Sequence, residues 1–305
     1  MKKTRARRAR TASVGVAAGE LLSGAAERIG SSPAIDQWQD GRAEDDAEVM
    51  LGDLLGLAAD ESVHPKTEVT ADVRKRFEKR VKRRVAGEPV ALITGHFDFR
   101  GLRLPTRAGV FIPRYSTELV VNEAAKILRR TRHDRVVVDL CTGMGPIAMS
   151  LAHEVRGVEV YGLDIAADAI KLGKKTARQL GMENISFRRS DMLKALPKRL
   201  RGGVAVITMH PPYVARDELL DLPSEIRDHE PVHTLSDMSD DGLGLVRKLV
   251  DQAPKWLAPR GSVLIEIGPE LSKKVAGILR RGGLSDVKIT RDAVGATRVV
   301  VGRLA

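Results

Sequence analysis

Apolar residues recur every three or four positions along the first part of the chain. The recurrence covers three stretches, at residues 21–29, 46–55 and 70–85. This spacing is typical of amphipathic helices, and the Thr70 hydroxyl is placed to cap the third one. The pattern therefore predicts a small helical domain over residues 16–86.

The pattern changes at Gly87, where glycine and proline begin to interrupt short apolar pieces. The interrupting residues are Gly87, Pro89, Gly95, Gly101 and Pro105. Short apolar pieces between turn-forming residues are typical of a hairpin. We therefore expect a hairpin linker over residues 87–110.

Beyond residue 111 the pattern alternates between short apolar runs and amphipathic stretches. The apolar runs predict strands at residues 136–138, 158–163, 185–188, 204–208, 262–267, 287–291 and 298–302. The amphipathic stretches predict helices at residues 117–129, 146–153, 167–180, 244–256 and 270–280. Strands that alternate with helices form a mainly parallel sheet covered on both faces. The sequence thus predicts an α/β domain over residues 111–305, with its ligand at the carboxyl ends of the strands.

The chain of 305 residues has a formal net charge of +11, and much of it lies at the N-terminus. Six basic residues without an acidic neighbour supply +6 there: Lys2, Lys3, Arg5, Arg7, Arg8 and Arg10. We expect residues 1–15 to form a disordered basic tail, with docking to an acidic surface as the alternative. Because the chain has only 2 Trp, 3 Tyr and 5 Phe, it offers few stacking platforms, and direct nucleic-acid binding is not expected.

Composition excludes several classes of protein. A single cysteine excludes an internal disulfide framework and a cysteine-rich zinc site. His229 and His233 stand close together, but the sequence places no third ligand beside them, so no metal is predicted. No apolar stretch approaches the roughly 18 residues of a membrane span, and we expect a cytoplasmic protein without membrane contact.

The first candidate site is a glycine-rich turn after the strand predicted at 136–138. It reads Asp139-Leu-Cys-Thr-Gly-Met-Gly, and its two glycines permit a tight turn and close approach of a ligand to the backbone. Asp164 ends the next strand, at the distance expected of an acid that accepts hydrogen bonds from ribose hydroxyls. The same carboxylate could instead cap the following helix, and the sequence leaves both roles open.

The ligand of this turn is better predicted as S-adenosylmethionine than as a nucleotide phosphate. The Lys-Ser/Thr pair of a phosphate-binding loop does not follow the turn, and the third glycine of the dinucleotide fingerprint is missing. S-adenosylmethionine has no phosphates, so a shorter glycine turn with a ribose-binding acid suits it. Asp191 and Met192 end the third strand, where the adenine could lie against Met192. Core packing is the alternative role for Met192.

The second candidate site follows the strand predicted at 204–208 and reads His210-Pro-Pro-Tyr. At the carboxyl end of that strand it would face the methyl donor. Pro211 and Pro212 stiffen the loop and remove two backbone donors, which leaves carbonyl groups to face the pocket. Tyr213 offers an aromatic wall to the group that is methylated.

These motifs together resemble the HemK/PrmC family of protein-(glutamine-N5) methyltransferases, over about residues 46–302. Gly87-Glu-Pro-Val-Ala-Leu-Ile-Thr-Gly resembles its GEPxAxITG connector, and Ile112-Pro-Arg-Tyr-Ser-Thr-Glu resembles IPRPxTE. The glycine turn resembles DLGTGSG, and His210–Tyr213 resembles NPPY. Glu230-Pro231 and Asp241-Gly-Leu resemble the family's EP and DGL.

The resemblance implies a class I, Rossmann-like methyltransferase domain with a small N-terminal helical substrate-recognition domain and a hairpin linker. The cofactor is then S-adenosylmethionine, with S-adenosylhomocysteine as product, and the substrate is the GGQ glutamine amide of peptide chain release factors. The implied cofactor-binding residues are Asp139, Cys141, Thr142, Gly143, Met144, Gly145, Asp164, Ile165, Asp191, Met192 and His210. The implied substrate-binding residues are Arg114, Thr117, Glu118, His210, Pro211, Pro212 and Tyr213, of which the last four are the catalytic motif.

The sequence departs from the family at His210, where the family has asparagine, and also at Tyr115, Cys141 and Met144. Neutral histidine has one donor and one acceptor on opposite sides of its ring, so it cannot reproduce the paired hydrogen bonds of an amide. Two hypotheses follow: the chain still methylates glutamine, or it methylates a small molecule such as an amino acid, guanidine, amine or hydroxyl with His210 as general base. A third is a non-catalytic, cofactor-binding protein that docks on a translation factor.

Overall fold

The computed structural model describes residues 15–36, 41–131 and 135–305. Residues 1–14, which make up nearly all of the predicted basic tail, lie outside these ranges. The chain divides into two compact units. The first, unit 1, comprises Met1–Thr94 and the short segment Pro223–Glu225, and the second, unit 2, comprises Gly95–Leu222 and Ile226–Ala305.

Unit 1 is mainly helical. Its elements are β1 (Val16–Ala17), α1 (Ala18–Gly30), α2 (Arg42–Leu55), β2 (Glu68–Val69), α3 (Ala71–Val85) and α4 (Val90–Thr94). The helices bury an apolar core that includes Ile29, Met50, Leu51 and Phe77, all fully inaccessible to solvent. Thr70 accepts a hydrogen bond from the Val73 amide at 3.4 Å, which confirms the predicted cap of α3.

Two features of unit 1 were not predicted. β1 and β2 pair as two-residue antiparallel strands, which are too short to show an alternating pattern in the sequence. The apolar piece at 90–93 belongs to helix α4 rather than to a hairpin strand. The hairpin itself is confined to β3 (His96–Phe99) and β4 (Leu102–Pro105), which pair in register from His96 with Pro105 to Phe99 with Leu102.

Unit 2 continues with alternating helices and strands. The elements of its first half are α5 (Glu118–Arg130), β5 (Val136–Leu140), α6 (Pro146–Glu154), β6 (Glu159–Asp164), α7 (Ala167–Gln179), β7 (Ile185–Arg189) and β8 (Val204–Met209). Those of its second half are α8 (Ser224–Arg227), α9 (Val232–Leu235), α10 (Gly244–Gln252), β9 (Leu257–Glu266), α11 (Ser272–Arg281), β10 (Leu284–Arg291) and β11 (Thr297–Leu304). The first two residues of α8 are counted with unit 1.

The strand order of the central sheet creates a crevice at the carboxyl ends of two of its strands. In the described part of the chain this sheet has seven strands in the order β10-β11-β9-β8-β5-β6-β7. The strands from β9 to β7 are parallel, and β11 is antiparallel to both of its neighbours, β9 and β10. The chain runs from β5 outward through β6 and β7, and then returns to the other side of β5 as β8. Ligands bind where the direction reverses, at the carboxyl ends of β5 and β8.

Both faces of the sheet are buried, which explains why its strands appear in the sequence as continuous apolar runs. Val138, Leu140 and Ile265 belong to one apolar cluster, whereas Val137 and Leu264 belong to the other. Neighbouring positions on a strand point to opposite faces, so the two clusters lie on opposite sides of the sheet. The predicted α/β class with a mainly parallel sheet is confirmed. Among the residues that the structure describes, no helix combines the length and apolar character that crossing a bilayer requires.

Candidate active site

The turn between β5 and α6 is anchored by Asp139, a side chain with no exposed surface. Its carboxylate accepts hydrogen bonds from the hydroxyls of Thr142, at 2.5 Å, and Thr208, at 2.7 Å. Burial raises the pKa of this carboxyl to about 7, and the two hydroxyls act against that rise. Asp139 therefore links the turn to β8, where Thr208 lies.

The two glycines of the turn have different surroundings. A Cβ atom on Gly145 would lie 2.4 Å from Cζ of Phe187, so only glycine lets the turn pack against that ring. A Cβ atom on Gly143 would meet nothing within 4 Å, so the space beside it is open to a ligand. Both glycines have positive φ, and so does Cys141, at 52°. The left-handed conformation at Cys141 explains why glycine suits this position in the motif that the turn resembles.

Asp164 joins the turn to the end of β6. One carboxylate oxygen accepts a hydrogen bond from the Gly143 amide at 2.8 Å, and the other accepts from the Ala166 amide at 2.8 Å. Burial raises the pKa of this carboxyl, and these backbone hydrogen bonds oppose the rise. Each oxygen retains a second lone pair, so the carboxylate can also accept from hydroxyls of a ligand. The helix-cap role that the sequence left open is not observed, because the N-cap of α7 is Ala166 and no side chain caps it. Asp164 instead closes a turn before the helix, and its contacts leave it able to bind a ribose.

A cavity of about 120 Å³ lies at the carboxyl ends of the strands. Predicted site residues that line it are Cys141, Gly143, Asp164, Ile165, Asp191, Met192, His210, Pro211 and Pro212. Predicted residues that do not line it are Arg114, Thr117, Glu118, Asp139, Thr142, Met144, Gly145 and Tyr213. The lining also includes Val110, Phe111, Ser190, His233, Thr234 and Leu245, which sequence reasoning did not place there.

Asp191 and Met192 form the wall of the cavity beyond β7. Hydrogen bonds from Lys194, at 2.6 Å, and from Lys248 lower the pKa of the Asp191 carboxyl. Met192 has a positive φ of 52°, and its carbonyl accepts from the Ser190 hydroxyl at 2.6 Å. The Met192 side chain is buried and also packs in the core, so lining and packing are combined in one residue.

His210 follows β8 directly and lies between two aromatic rings. Phe111 lies at right angles to it, with 5.4 Å between centroids and an interplanar angle of 86°, and Tyr213 stacks on it at 5.9 Å and 20°. Its Nδ1 lies 3.3 Å from Oε2 of Glu266, the last residue of β9. Burial lowers the pKa of the imidazole below its ordinary value, so His210 is neutral near pH 7.

Arg114 reaches the site indirectly. It pairs with the buried Glu230 at 2.5 Å, and its guanidinium lies 4.7 Å from the Phe111 ring centre. Thr117 is buried, and its hydroxyl has no hydrogen-bond partner among the residues described. Glu118 begins α5, and its carboxylate lies 3.9 Å from Arg100. The structure thus places Arg114 one contact behind His210 and leaves the other two outside the cavity.

The His210–Tyr213 loop is held against a second loop. Tyr213 pairs with Ser236 in an isolated antiparallel bridge. A Cβ atom on Gly242 would lie 1.9 Å from the Tyr213 carbonyl oxygen, so the two backbones approach as closely as glycine allows. This contact gives a physical reason for the glycine of the Asp241-Gly-Leu motif.

Within the described ranges no group of three or more His, Cys, Asp or Glu side chains is arranged to hold a metal ion.

Comparison with known proteins matches both parts of the chain. A family model described as a methyltransferase domain matches residues 132–266, and one described as the PrmC N-terminal domain matches residues 35–95. The release factor glutamine methyltransferase of Streptomyces coelicolor is 38% identical over 72% of this chain and 76% of its own length. The protein of that name from Bradyrhizobium diazoefficiens is 34% identical over 86% of this chain and 88% of its own length.

A solved structure also matches the chain. It is the release-factor-specific protein-(glutamine-N5) methyltransferase of Alicyclobacillus acidocaldarius, with 26% identity and a TM-score of 0.39. The match covers 63% of this chain and 94% of that one.

Proposed function

This chain belongs to the HemK/PrmC family of release factor glutamine methyltransferases, and we propose that it methylates the side-chain amide of a glutamine in peptide chain release factors. The chain is an S-adenosylmethionine-dependent methyltransferase. The proposal concerns the acceptor, for which the family implies the GGQ glutamine. The observation that carries it is a neutral, pocket-lining His210 at the strand end where the family holds its substrate amide.

The residues of the turn fit the cofactor. Gly143 leaves open space beside the backbone, Asp164 has lone pairs for two hydroxyls, and Met192 offers an apolar, polarisable surface to a ring. Bound there, S-adenosylmethionine supplies an electrophilic methyl group and leaves as S-adenosylhomocysteine. We assign the cofactor to this end of the cavity and the acceptor to the end that His210 and Pro211 line.

His210 contributes orientation and proton acceptance. A neutral imidazole offers one ring nitrogen as acceptor, which can hold an amide N–H so that the nitrogen faces the methyl group. The Pro211 carbonyl supplies a second acceptor, because proline removes backbone donors from this loop. Once the nitrogen is methylated it has one proton to lose, and the same imidazole nitrogen can receive that proton.

A small-molecule acceptor is the second candidate. The observation that favours it is the buried carboxylate of Glu266 beside His210, an arrangement that suits general-base catalysis on an amine or hydroxyl better than simple amide binding. Under this proposal the chain keeps its cofactor site, and only the identity of the acceptor changes.

Intact-mass spectrometry decides between the two. The purified chain is incubated with labelled S-adenosylmethionine and either a GGQ-containing release factor or a panel of amino acids, guanidines, amines and alcohols. We expect a single methyl on the release factor and an equal or greater rate for His210→Asn, which restores the family's amide. Methylation only within the panel establishes the second candidate, and no transfer to any acceptor supports a non-catalytic, cofactor-binding protein.

We also propose that unit 1 recognises the protein substrate in the cytoplasm. One side of α3 exposes basic residues for which the structure records no acidic partner, among them Lys75, Lys79 and Lys82. Such a side suits an acidic protein surface. Reversing two of these charges, as Lys75→Glu with Lys79→Glu, is expected to raise KM for the release factor and leave kcat unchanged. An unchanged KM rejects this role.

A further inference from the structure

We propose that Glu266 is a positioning residue that keeps the hydrogen of neutral His210 on Nδ1, so that Nε2 is the acceptor presented to the methylated nitrogen. This inference rests on the proposed function for the identity of that nitrogen. Strands β8 and β9 run parallel with Met209 opposite Ile265, so the next residues along, His210 and Glu266, lie side by side at the carboxyl edge. The structure places Oε2 of Glu266 3.3 Å from Nδ1 of His210.

The two oxygens of Glu266 are used differently. Oε1 accepts a hydrogen bond from the Ser116 hydroxyl at 2.8 Å. Oε2 is fully buried and has no hydrogen-bond partner in the described part of the chain, because the 3.3 Å approach of His210 Nδ1 does not have the angle of a hydrogen bond. A buried carboxylate oxygen without a donor is costly, and a small turn of the imidazole would direct an Nδ1 hydrogen to this oxygen. The tautomer with hydrogen on Nδ1 is therefore favoured over the one that would turn a lone pair toward Glu266.

The surroundings of the ring fix its orientation. Phe111 lies at right angles to the imidazole and Tyr213 stacks on it, so the ring is confined to small rotations. Nε2 lies across the ring from Nδ1 and hence on the side away from Glu266. Among the described residues no group hydrogen-bonds to Nε2, and His210 lines the cavity. The ring nitrogen that remains available is therefore an acceptor.

Charges around His210 determine the pH at which its imidazole becomes protonated and stops accepting hydrogen bonds. Burial lowers its pKa most, Glu266 raises it, Arg114 lowers it and Glu230 raises it. His210 therefore stays neutral at pH 7 and is protonated only below its ordinary pKa. Protonation removes the lone pair of Nε2, so acceptor binding is lost in that acidic range.

The role of Glu266 continues after transfer. As the acceptor nitrogen forms its bond to the methyl carbon, the carbon–sulfur bond breaks and its electron pair stays on sulfur. The methylated nitrogen then gives up one proton to Nε2, and His210 becomes an imidazolium. The carboxylate of Glu266 faces that positive charge, and the proton later passes from the imidazolium to water. Atoms and charge balance without a further reactant.

Nuclear magnetic resonance of the histidine side chains tests the tautomer without any substrate or cofactor. Long-range proton–nitrogen spectra of the full chain distinguish Nδ1–H from Nε2–H, and the signal missing from His210→Asn identifies His210 among the seven histidines. We expect Nδ1–H in the wild type and loss of that preference in Glu266→Leu. Nε2–H in the wild type, or an unchanged tautomer in Glu266→Leu, overturns the proposal.

The pKa of His210 separates positioning from simple support of the fold. Glu266→Gln keeps the size of the side chain and removes a negative charge, so we expect the pKa of His210 to fall further, by about 1 unit. A variant that merely loosened the site would admit water and raise the pKa toward its ordinary value, which contradicts the proposal. Glu183→Gln, an exposed site away from the cavity, is the matched control and is expected to leave the pKa unchanged.

Kinetics then link the pair to catalysis. In the pH profile of kcat/KM, the acidic limb is expected to move to lower pH in Glu266→Gln and to vanish in His210→Asn. In the double variant, Glu266→Gln is expected to add no further change to the profile of His210→Asn. Movement of the limb in the opposite direction overturns the positioning role. If the chain methylates no release factor, the resonance measurements still decide the role of Glu266, so the two proposals fail separately.

Discussion

At the scale of single residues, the site depends on ionisable groups whose charge is controlled by burial. Asp139 and Asp164 both have raised pKa values because burial disfavours their charged forms, and both are tied to the β5–α6 turn by hydrogen bonds. His210 is shifted in the opposite sense, since burial disfavours its protonated form. In each case burial favours the neutral form, and the hydrogen bonds decide how much charge remains available.

Asp164 is expected to carry most of the polar contact with the cofactor. Asp164→Ala removes an acceptor for two backbone amides and for ribose hydroxyls, so we expect S-adenosylhomocysteine to bind about 100-fold more weakly, a loss of about 3 kcal/mol. Isothermal titration calorimetry measures the affinity of each variant for S-adenosylhomocysteine. Asp168→Ala, at an exposed position near the start of α7, is the control and should bind as the wild type does. Equal affinity for Asp164→Ala and wild type would remove Asp164 from the site.

Asp139 makes stability depend on pH. Its pKa is raised from 3.8 unfolded to about 7 folded, so between these values the folded state binds the extra proton. The contribution of Asp139 to the free energy of unfolding is therefore greatest below pH 4. It declines by about 1.4 kcal/mol per pH unit as the pH rises to 7, and it does not change further above pH 7. Asp139→Asn keeps one hydroxyl contact as an acceptor, reverses the other so that its N–H donates to the hydroxyl, and removes this slope.

Urea unfolding at a series of pH values checks that prediction. The difference between the wild-type and Asp139→Asn curves isolates the contribution of this one carboxyl, because the other groups cancel. Asp251→Asn, an exposed acid on α10, is expected to run parallel to the wild type. A wild-type curve parallel to that of Asp139→Asn between pH 4 and 7 is incompatible with a raised pKa.

At the scale of elements, one side chain holds together a strand, a turn and a helix. Phe187 on β7 lies where Cβ atoms on Gly145 and Gly162 would approach it to 2.4 and 2.6 Å. A Cβ atom on Gly173 of α7 would lie 3.1 Å from the same ring. Glycine at these three places leaves the room that the ring fills. The position of the cofactor turn is thereby fixed by packing beneath it.

The two glycines of the turn are expected to respond differently to alanine. Gly145→Ala drives a methyl group into Phe187 and should cost about 3 kcal/mol of folding free energy. Gly143→Ala meets no atom and should cost only the left-handed conformation, about 1 kcal/mol, while its methyl group weakens S-adenosylhomocysteine binding. Urea unfolding and calorimetry give the two readouts. Partial recovery in Gly145→Ala with Phe187→Leu confirms the clash, and equal stability of the two alanine variants refutes it.

The elements that the sequence predicted are those whose patterns are long. β5, β6 and β8 are buried on both faces, so each appears as an apolar run, and α7 repeats its apolar positions over three turns. The helices α4, α8 and α9 have four or five residues each, too few to show a period. The glycine turn and the His210 loop could also be located from the sequence, because the residues of each motif are contiguous.

Partners that meet only through the fold could not be predicted. Glu266 reaches His210 because β8 and β9 are neighbours, and no local pattern in the sequence announces that pairing. Phe111 and Phe187 likewise acquire their roles from packing against residues far along the chain. The sequence could therefore identify the chemistry of the site more fully than the contacts that hold it.

At the scale of the whole molecule, the division into units does not follow the order of the chain. Unit 1 includes the segment Pro223–Glu225 as well as the N-terminal residues. Within it Arg84 is almost fully buried and hydrogen-bonds to Asp46 at 2.6 Å and to Glu225 at 3.0 Å. Arg42 makes a bidentate pair with the same Glu225 at 2.7 and 2.8 Å. Folding of unit 1 thus depends on a residue 141 positions beyond Arg84.

Removing one member of this buried network should be far more costly than removing an exposed pair. Arg84→Met leaves the buried Glu225 and the partly buried Asp46 with fewer partners, so we expect a loss of about 3–5 kcal/mol, seen as faster hydrogen exchange of the α2 and α3 amides. Arg76→Met on the same helix breaks only an exposed pair at 4.0 Å and should cost less than about 0.5 kcal/mol. Replacing the acids as well, in Arg84→Met with Asp46→Leu and Glu225→Leu, should recover part of the loss, because the two carboxylates that depended on Arg84 are then gone. The recovery is only partial, since Arg42 loses its pair with Glu225. Comparable exchange in Arg84→Met and Arg76→Met would show that unit 1 does not depend on Glu225, and that its N-terminal residues suffice for its stability.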